Sequence, residues 1–497
     1  MGNAGGRPKR SDSHVILHFL LFFRSLYPQF FFSYSPFPIL NSPFSSTYLW
    51  GMEDLLAARL QMALSLGFHI IFAVIGMAMP FLMAISHWRW IRTGKQVYFD
   101  LTKAWSRGVA IFFATGAVSG TALSFELGLL WPEFMLHAGP IIGMPFSWEG
   151  TAFFIEAIAL GLFLYGWNRL KPWVHWVVGV VVGISGVLSG IFVVCANAWM
   201  NSPAGFDWIV DAAGKVQVSN VDPFAAMFNP AWKTMTLHMT ISAFQATGFG
   251  VAGVHAFMML RKPSVFHREA FKIALAVGAI AALLQPLSGD ILAKDTAVRQ
   301  PLKLAAMESH FETAPRAPLV LGGIPDAETR TVDYGLEIPG VLSFLAHGNV
   351  NAPVKGLNDF PREEWPPLKP VHFAFQIMIA CGMAMAGLGA LYLLFLAVPR
   401  LRPLVLHRRF LWLCALAAPL GFIAVEAGWV VTEVGRQPWI IYGIMKTRDA
   451  LTPMPGLAVP FLLFMAVYAV LAVVVTWLLI RHITTVEQHY PSARDQS

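Results

Sequence analysis

The chain has 497 residues, of which 56% are hydrophobic and only 13% are charged. This balance excludes an ordinary soluble protein and indicates a polytopic membrane protein. The net charge of +7 does not indicate nucleic-acid binding, because the basic residues lie in short loops between apolar segments. Cys195, Cys381 and Cys414 lie within apolar segments and form no CxxC or CxxCH motif. We therefore expect neither a disulfide framework nor a covalently attached c-type haem.

Residues 1–51 differ in composition from the rest of the chain. They are basic at first, then aromatic, and are interrupted by Arg24 and several prolines. The prolines argue against a helix, and no small-residue cleavage site marks a clear signal peptide. We interpret this segment as an N-terminal extension outside the core, with the working protein beginning at Met52.

Nine stretches are long and apolar enough to cross a bilayer, which takes about 20 residues. The sequence therefore predicts an all-α membrane protein with about nine transmembrane helices. These stretches run over 55–85, 105–130, 146–168, 173–197, 232–260, 270–288, 371–398, 409–433 and 455–480. The resulting division is helices one to six in 52–288, a loop over 289–370, helices seven to nine in 371–482, and a tail over 483–497.

The charges of the loops predict the orientation of the helices. The loop after the first span is basic, as are those after the third, fifth and seventh, whereas WPEFMLHAGPIIGMP, read as a loop, has no Lys or Arg. By the positive-inside rule, the first span starts outside and the C-terminus is cytoplasmic. The loop over 289–370 then lies outside, and loops of this length are usually functional or disordered.

Several polar residues interrupt the apolar spans. His69 follows Gln61 and Ser65 at intervals of four, so the three share one helix face turned to the bundle interior. By itself this histidine is best explained as a hydrogen-bonded core residue, and the alternative is a haem or metal ligand. Ionisable groups at membrane depth usually mark function or paired structure.

Two glutamates share a stripe of the third span. Glu149 and Glu156 are seven residues apart, which is almost two helical turns, so both carboxylates point the same way about 10 Å apart. A single glutamate at a helix start is commonly interfacial. Two on one stripe favour a proton relay or a carboxylate near a metal.

His238 and Met378 lie at similar, shallow depths in the fifth and seventh spans. A methionine in a membrane helix is ordinarily a packing residue. Histidine and methionine at equal depth on two helices also match the axial ligands of a six-coordinate, low-spin haem.

Four polar or aromatic residues of VEAGWVVTEVGRQPW form one helical stripe: Glu426, Trp429, Glu433 and Arg436. A structural Glu–Arg pair with an interfacial tryptophan is the simpler interpretation, but it does not explain the deeper glutamate. We expect Pro438 to end this helix. In the long loop, the spacing of Lys303 and Glu308 predicts only a solvated helix.

Together these motifs resemble subunit I of the cytochrome bd family of quinol oxidases, from Met52 to about Arg481. The VEAGWVVTEVGRQPW motif is highly specific, and the others accompany it in the same order. The resemblance rests on QMALSLGFHIIF, GKQVYFDLTKAW, the EG…AFFIE segment, GLFLYGWNRL, ANAWMNSP, KLAAMES, HFAFQIMIACG and VEAGWVVTEVGRQPW.

The resemblance implies roles for the residues that match the family motifs. His238 and Met378 look like the axial ligands of a low-spin haem b. His69 and Glu433 look like ligands of two high-spin haems. One of these is of b type, and the other, the third haem of the protein, is of d or b type. Three glutamates match carboxylates near the oxygen-reducing site: Glu149, Glu156 and Glu426. Trp429 matches an aromatic residue there, and Arg436 matches a cation.

The same resemblance makes the long loop a quinol-binding loop, or Q-loop, with Lys303 and Glu308 as its quinol-site pair. Gln376 stands where long-loop members often have arginine, so the low-spin haem is expected to be tuned differently. The loop also lacks the insertion of the long-loop branch, and the Glu149–Glu156 interval looks one residue shorter. These features are more similar to the cyanide-insensitive, short-loop branch.

The implied activity is electrogenic oxidation of ubiquinol or menaquinol with reduction of O2 to water, without a proton pump. The implied partners are subunit II and a small single-helix subunit, and the implied location is the bacterial cytoplasmic membrane. An ion-coupled transporter and a dihaem quinol dehydrogenase are the alternatives that use the same buried polar residues. A purely structural subunit fits poorly with so many buried ionisable groups.

Overall fold

The computed structural model describes residues 52–210 and 216–489. The N-terminal extension over 1–51 and the end of the tail from 490 onwards lie outside the described residues. Within the described part, nine helical segments are long and apolar enough to cross a membrane, which confirms the predicted fold class.

The membrane-spanning helices occur in two groups, six before the long loop and three after it. The first group is α1 Asp54–Thr93, α2 Gln96–Leu130, α3 Pro132–Tyr165, α4 Pro172–Asn201, α6 Trp232–Arg261 and α7 Val265–Arg299. The second group is α10 Leu368–Ala397, the consecutive pair α11 Arg408–Ala417 and α12 Leu420–Val434, and α13 Ala458–His489. Short helices lie between them: α5 Pro223–Met227, α8 Pro301–Glu308 and α9 Val341–His347.

The described strands form four small antiparallel pairs in the connections between helices. They are β1 Asp207–Val210 with β2 Val216–Ser219, β3 Leu319–Leu321 with β6 Leu336–Ile338, β4 Ile324–Asp326 with β5 Thr331–Asp333, and β7 Trp439–Ile441 with β8 Met445–Lys446. Short 3₁₀ segments cover Leu357–Asp359, Arg362–Glu364, Pro399–Leu406 and Thr447–Ala450. The long helices build most of the bundle core, and Val405 of the 3₁₀ segment Pro399–Leu406 also belongs to it.

Local chemistry explains several helix ends. Gly94 ends α1 in a left-handed conformation, φ 66°, and its N–H donates to the Trp90 carbonyl. The Ser264 side chain caps α7 by accepting from the His267 N–H. Asp54 accepts from the N–H groups of Gly456 and Leu457, which tie the first residue of α1 to the start of α13.

Three sequence predictions about helix boundaries are wrong. WPEFMLHAGPIIGMP is helical from Pro132, because proline is tolerated in a first turn and neighbouring helices re-satisfy the backbone around Pro140 and Pro145. The helix α7 continues to Arg299, eleven residues beyond the predicted end. Two ion pairs between residues one turn apart, Asp290–Lys294 and Asp295–Arg299, stabilise this extension. The helix α12 ends at Val434 rather than at Pro438, so Arg436 follows the helix instead of lying on it.

Helix α6 lies at the centre of the bundle and packs against α7, α1, α4, α11 and α12. Glycines permit these close approaches. A Cβ at Gly248 would lie 2.5 Å from the Cα of Gly278 on α7, and one at Gly421 on α12 would lie 2.4 Å from the Cα of Ala246. Small residues at crossings allow membrane helices to gain van der Waals contact that larger ones would prevent.

The short helix α8 of the long loop is buried against the membrane-spanning helices. All residues of α8 from Leu302 to Glu308 are buried, so the solvated helix predicted from spacing is wrong. Its apolar side chains pack on α10 and α12, in one cluster with Val371 and Val431. Burial of this apolar surface outweighs the weak amphipathic signal that the spacing carries.

We predict that Gly248→Leu destabilises the protein, because the new side chain would meet backbone atoms of α7. Overpacking typically costs about 1–3 kcal/mol, and backbone neighbours place this site at the upper end. The thermal midpoint in detergent, followed by fluorescence-detected gel filtration, should fall clearly. Gly387→Leu on α10, where a Cβ meets nothing within 4 Å, is the matched control. Equal midpoints for the two variants would contradict this packing.

Candidate functional site

The Glu433 carboxylate accepts a strong hydrogen bond on each oxygen. Asn197 Nδ2 on α4 donates to Oε1 at 2.6 Å, and Arg436 Nη2 donates to Oε2 at 2.5 Å. Arg436 is only 2% exposed, and its Nε and Nη1 have no partner among the described residues. The predicted Glu433–Arg436 contact is therefore formed. Two buried donors of a cation stay free for a further anionic group.

Lys303 reaches the same region from the loop helix α8. Its Nζ donates to Asn201 Oδ1 at 2.6 Å and to the Thr432 carbonyl at 3.3 Å. Burial, reinforced by the Arg436 cation and opposed by Glu433, lowers the pKa of Lys303 to about 7. Asn201 Nδ2 in turn donates to Asn197. We name Asn197, Asn201, Lys303, Glu433 and Arg436 the Glu433 cluster.

The His69 ring contacts a serine of the adjacent helix. Its Nδ1 lies 2.9 Å from Ser119 Oγ on α2, and that hydroxyl also lies 2.9 Å from the Thr115 carbonyl. When the hydroxyl donates to this carbonyl, Ser119 accepts from Nδ1–H and the Nε2 lone pair is available. This is the arrangement that metal-ligating histidines usually have. The face of α1 that carries His69 turns to α2, as its spacing predicts.

His238 repeats this arrangement on α6. Its Nδ1 lies 3.0 Å from Ser288 Oγ on α7, and Ser288 donates to the Gln285 carbonyl at 2.9 Å. When Ser288 donates to this carbonyl, it accepts from Nδ1–H of His238. The other ring nitrogen, Nε2, then lies 3.1 Å from the Gln285 amide nitrogen and can accept a hydrogen bond from it.

Glycines lie against several of these side chains. A Cβ at Gly428 would lie 3.0 Å from the sulfur of Met378, and one at Gly120 would lie 3.0 Å from Cε1 of His69. A Cβ at Gly289 would likewise lie 3.4 Å from Cε1 of His238. Glycine thus packs against His69, His238 and Met378, and imidazole and thioether side chains are common ligands of haem iron. We therefore judge that these residues fit haem groups.

The Glu426 side chain of α12 points towards α1. A Cβ at Gly67, two residues before His69, would lie 3.1 Å from Glu426 Oε2, and Glu426 Oε1 is buried without a partner among the described residues. The indole N–H of Trp429, one turn further along α12, also lacks a partner there. The structure thus brings Glu426 against α1 at Gly67 and leaves polar atoms of α12 for another group to satisfy.

Glu149 and Glu156 both face α4, as their spacing predicts. Ser189 Oγ donates to Glu149 Oε1 at 3.0 Å. One turn away on α4, a Cβ at Gly186 would lie 3.3 Å from Glu156 Oε1 and 3.1 Å from the Gly76 carbonyl of α1. Glu156 is buried, whereas Glu149 is partly exposed. The pair therefore leads from a more open position into the contact between α3, α4 and α1.

Gln376 contacts the loop backbone. Its Nε2 donates to the Val320 carbonyl at 2.9 Å, and its Oε1 accepts from the Gly322 N–H at 3.2 Å. The fully buried His372, one turn earlier on α10, lies within 3.0 Å of the carbonyls of Met307 and Gly322. Gln376 therefore holds the loop on the helix that carries Met378.

Glu308 ends α8 and is 3% exposed, with Oε2 unpartnered among the described residues. Burial raises the pKa of its carboxyl to about 8. A cavity of about 390 Å³ begins at the next residue and is lined by Ser309, His310 and Val320, among others. Ser309 Oγ and His310 Nε2 are buried and also unpartnered there. Arg330, Thr331 and Glu337 also line this cavity, so its wall is polar as well as apolar.

Five residues of these sites were missed by sequence reasoning. Asn197 and Asn201 lie four apart in ANAWMNSP, an interval that puts two amides on one face of a membrane helix. Glu126, buried on α2, accepts from Ser65 at 2.7 Å and could have been found as an acid within an apolar span. No pattern singles out Ser119 and Ser288, since serines are common in membrane helices.

Among the described residues, no group of three or more His, Cys, Asp or Glu side chains could hold a bare metal ion. Haem needs only one or two protein ligands for its iron. The separate placement of His69, His238, Met378 and Glu433 is therefore compatible with several haems.

Comparison with known proteins places the chain in a family. The family model of cytochrome bd terminal oxidase subunit I matches residues 57–487. The chain is 37% identical over 439 residues to the putative cytochrome bd menaquinol oxidase subunit I of Bacillus subtilis (strain 168), covering 86% of this chain and 96% of that protein. It is 30% identical to the cytochrome bd ubiquinol oxidase subunit 1 of the same organism, covering 88% and 95% respectively.

A solved structure agrees with these matches. The bd oxidase from Geobacillus thermodenitrificans superposes with a TM-score of 0.81 at 37% identity, covering 88% of this chain and 99% of that chain. With nine apolar helices among its described residues, the chain is a multi-pass protein of the bacterial inner membrane. It belongs to the cytochrome bd terminal oxidase subunit I family, and so is a haem-bearing subunit of a terminal respiratory oxidase.

Proposed function

We propose that this chain oxidises quinol and reduces O2 with three haems, whose ligands come from four of its helices. His238 and Met378 would hold a low-spin haem b. His69 and Glu433 would hold a high-spin haem b and a third haem of d or b type. The observation that carries this proposal is the shared arrangement of the two histidines, each of which has Nδ1 at hydrogen-bond distance from a serine of the adjacent helix.

When bound, haem supplies one-electron transfer and the reduction of O2 to water. The chain's own residues supply the ligands, the charge balance and the proton path. Two ligands on the His238/Met378 iron would keep O2 from that site, which suits a relay of electrons. Arg436 and Asn197 would offset the negative charge of Glu433.

Quinol oxidation is assigned to the cavity beside Glu308. The carboxylate of Glu308 would take a proton from a quinol hydroxyl, and Ser309 Oγ and His310 Nε2 would contact the head group. Burial lowers the pKa of the His310 imidazole, and its Nε2 has no partner among the described residues. These groups stand in the Q-loop, whose short length favours the cyanide-insensitive branch.

Protons for water formation would pass through Glu149 and Glu156. With the first helix starting outside, Glu156 lies on the cytoplasmic side of Glu149 along α3. A buried carboxylate can hold a proton and pass it on. Quinol protons released outside and protons consumed from the cytoplasm would then generate a gradient without a pump.

The proposed partners are subunit II and a small single-helix subunit, with O2 and a quinol as substrates. One relative is named for menaquinol and another for ubiquinol, so both quinols are candidates. The apolar side chains that α13 exposes, including Val467, Val470 and Val473, suit lipid or another membrane subunit.

Glu433→Ala should remove one high-spin haem signal from the reduced-minus-oxidised spectrum, because the iron loses its protein ligand. The signal of the low-spin haem on His238 and Met378 should remain. Quinol-driven O2 uptake should fall by at least about 100-fold, more than losing an outer partner of a metal ligand usually costs. Spectroscopy and an oxygen electrode measure both effects.

The matched control is Glu363→Ala, which removes an exposed carboxylate of the long loop. It should leave both the spectrum and the uptake unchanged. Survival of all haem signals in Glu433→Ala would show that the Glu433–Arg436 pair is structural.

Quinol oxidation should accelerate as pH rises towards 8. A base must be ionised to take a proton, and a carboxyl whose pKa is raised to about 8 is mostly protonated at lower pH. Well below that value the ionised fraction grows about tenfold per pH unit. The value of kcat/KM for a short-chain quinol should therefore rise from about pH 6 and level off above about pH 8.

Glu308→Gln should lower kcat/KM and remove this slope, because an amide does not titrate. Glu312→Gln, an exposed glutamate four residues further along, should keep it. An unchanged slope in Glu308→Gln would assign the proton acceptor to another group.

A further inference from the structure

The paired strands β3 and β6 expose an apolar face. Side chains alternate between the two faces of a strand, and directly paired residues of antiparallel strands share a face. The register of this pair therefore gathers four apolar side chains on one face: Leu319, Leu321, Leu336 and Ile338. Leu319 packs on the loop cluster that contains Leu342. The other three are 42%, 64% and 37% exposed, in that order, and we name them the strand patch.

The opposite face of the same strands lines the cavity beside Glu308. Val320 of β3 is paired with Glu337 of β6, and both residues belong to the cavity wall. The pair of strands is thus a single layer between the cavity and the strand patch. Whatever covers the patch therefore lies directly outside the cavity.

Side chains of α10 hold the edge of β3. Gln376 Nε2 donates to the Val320 carbonyl at 2.9 Å, and its Oε1 accepts from the Gly322 N–H at 3.2 Å, as a neighbouring strand would do. One turn earlier, His372 Nε2 lies 3.0 Å from the Gly322 carbonyl. Backbone groups on this edge of β3 are therefore paired, which is the condition for irregular backbone to lie at the edge of a membrane.

The side of α10 that binds β3 continues into the membrane as an exposed apolar stripe. Gln376, Ile379 and Met383 follow at intervals of three and four, so they share one helix face. Ile379 and Met383 are 41% and 56% exposed. Met378, two residues after Gln376, lies about 200° around the helix and meets Gly428 of α12 instead. The strand β3 therefore lies on the side of a membrane-spanning helix that faces away from the bundle.

We propose that the strand patch lies in the membrane leaflet on the side of the long loop, where phospholipid acyl chains cover it. The stripe of α10 leads from the span to β3, so the patch is continuous with a surface that the bilayer covers. Tyr334, two residues before Leu336, is 93% exposed, and tyrosine is enriched at membrane–water interfaces. The long loop thus has an interfacial membrane contact of its own.

Lipid fits this surface better than a second membrane subunit does. A quinol is soluble in the bilayer, and the cavity beside Glu308 lies directly behind the strand patch. A protein on the patch would close this approach, whereas acyl chains leave it open. This choice rests on the proposed role of the cavity in quinol oxidation, but the contact of the patch with lipid can be measured without quinol.

The test places a fluorescent probe on the patch of the purified complex in lipid nanodiscs. Leu336→Cys carries an environment-sensitive label, and Leu321→Cys is a second position on the same patch. The matched control is Glu328→Cys, because the Glu328 side chain is charged and 81% exposed in the same loop. The unsubstituted chain, labelled in parallel, gives the background from its three cysteines. Gel filtration of each variant checks that it folds and assembles.

Two quenchers separate lipid from water. One is a phospholipid with a nitroxide near the head of an acyl chain, mixed into nanodiscs of phosphatidylethanolamine and phosphatidylglycerol, and the other is aqueous iodide. The probes at 321 and 336 should be quenched by the nitroxide at least about twofold more than the probe at 328, since an interfacial element buries its apolar face among acyl chains. Iodide should give the reverse order.

Equal quenching at 336 and 328 by both agents would overturn the proposal, because the patch would then face water. Protection of the probes at 321 and 336 from both quenchers would also overturn it, since another protein would then cover the patch.

A kinetic measurement separates this contact from the proposed function. Leu336→Asp should raise the KM for a long-chain quinol in nanodiscs by about threefold or more, while the KM for a short-chain, water-soluble quinol stays within about twofold of wild type. Leu336→Met, which keeps an apolar side chain, is the control. An unchanged KM for the long-chain quinol, together with the expected quenching, would contradict the quinol cavity of the proposed function and leave the lipid contact confirmed.

Discussion

The cost of placing charged groups inside an apolar helix bundle is the constraint on which the rest of this structure depends. Glu433 meets this constraint with one donor on each oxygen, Asn197 from α4 and Arg436 from the chain after α12. Removing one partner from such a pair typically costs about 3–5 kcal/mol, because the other charge is left buried. The ends of α4, α8 and α12 are therefore held together by the requirement to satisfy a single carboxylate.

The histidines meet the same requirement in a simpler way. Each has Nδ1 at hydrogen-bond distance from a serine on the adjacent helix, and each serine hydroxyl also reaches a carbonyl of its own helix. The adjacent helices approach closely where they carry glycine, as α6 and α7 do at Gly248 and Gly278. Packing of small residues thus brings a hydroxyl within reach of each ring, and the ring then presents Nε2 in a defined direction. Fold and site chemistry depend on the same small side chains.

Much of the fold could be predicted from the sequence, because apolar runs of bilayer length have few alternative structures. The stripe of Glu149 and Glu156 and the contact of Glu433 with Arg436 also followed from spacing. Burial of α8 could not, since it depends on α10 and α12, which lie some 60 to 130 residues away in the sequence. The Asn201–Lys303 bond spans 102 residues for the same reason. Helix ends at Val434 and Arg299 were missed because local ion pairs and tertiary contacts, not proline, decide them.

The central claim is that His69, His238, Met378 and Glu433 serve as ligands of haem iron. The most direct test is to count haem in the purified oxidase by pyridine haemochrome analysis, together with iron content per chain. The account predicts three haems for each copy of this chain, at least two of them of b type. A single haem per chain, or iron without haem, would contradict it.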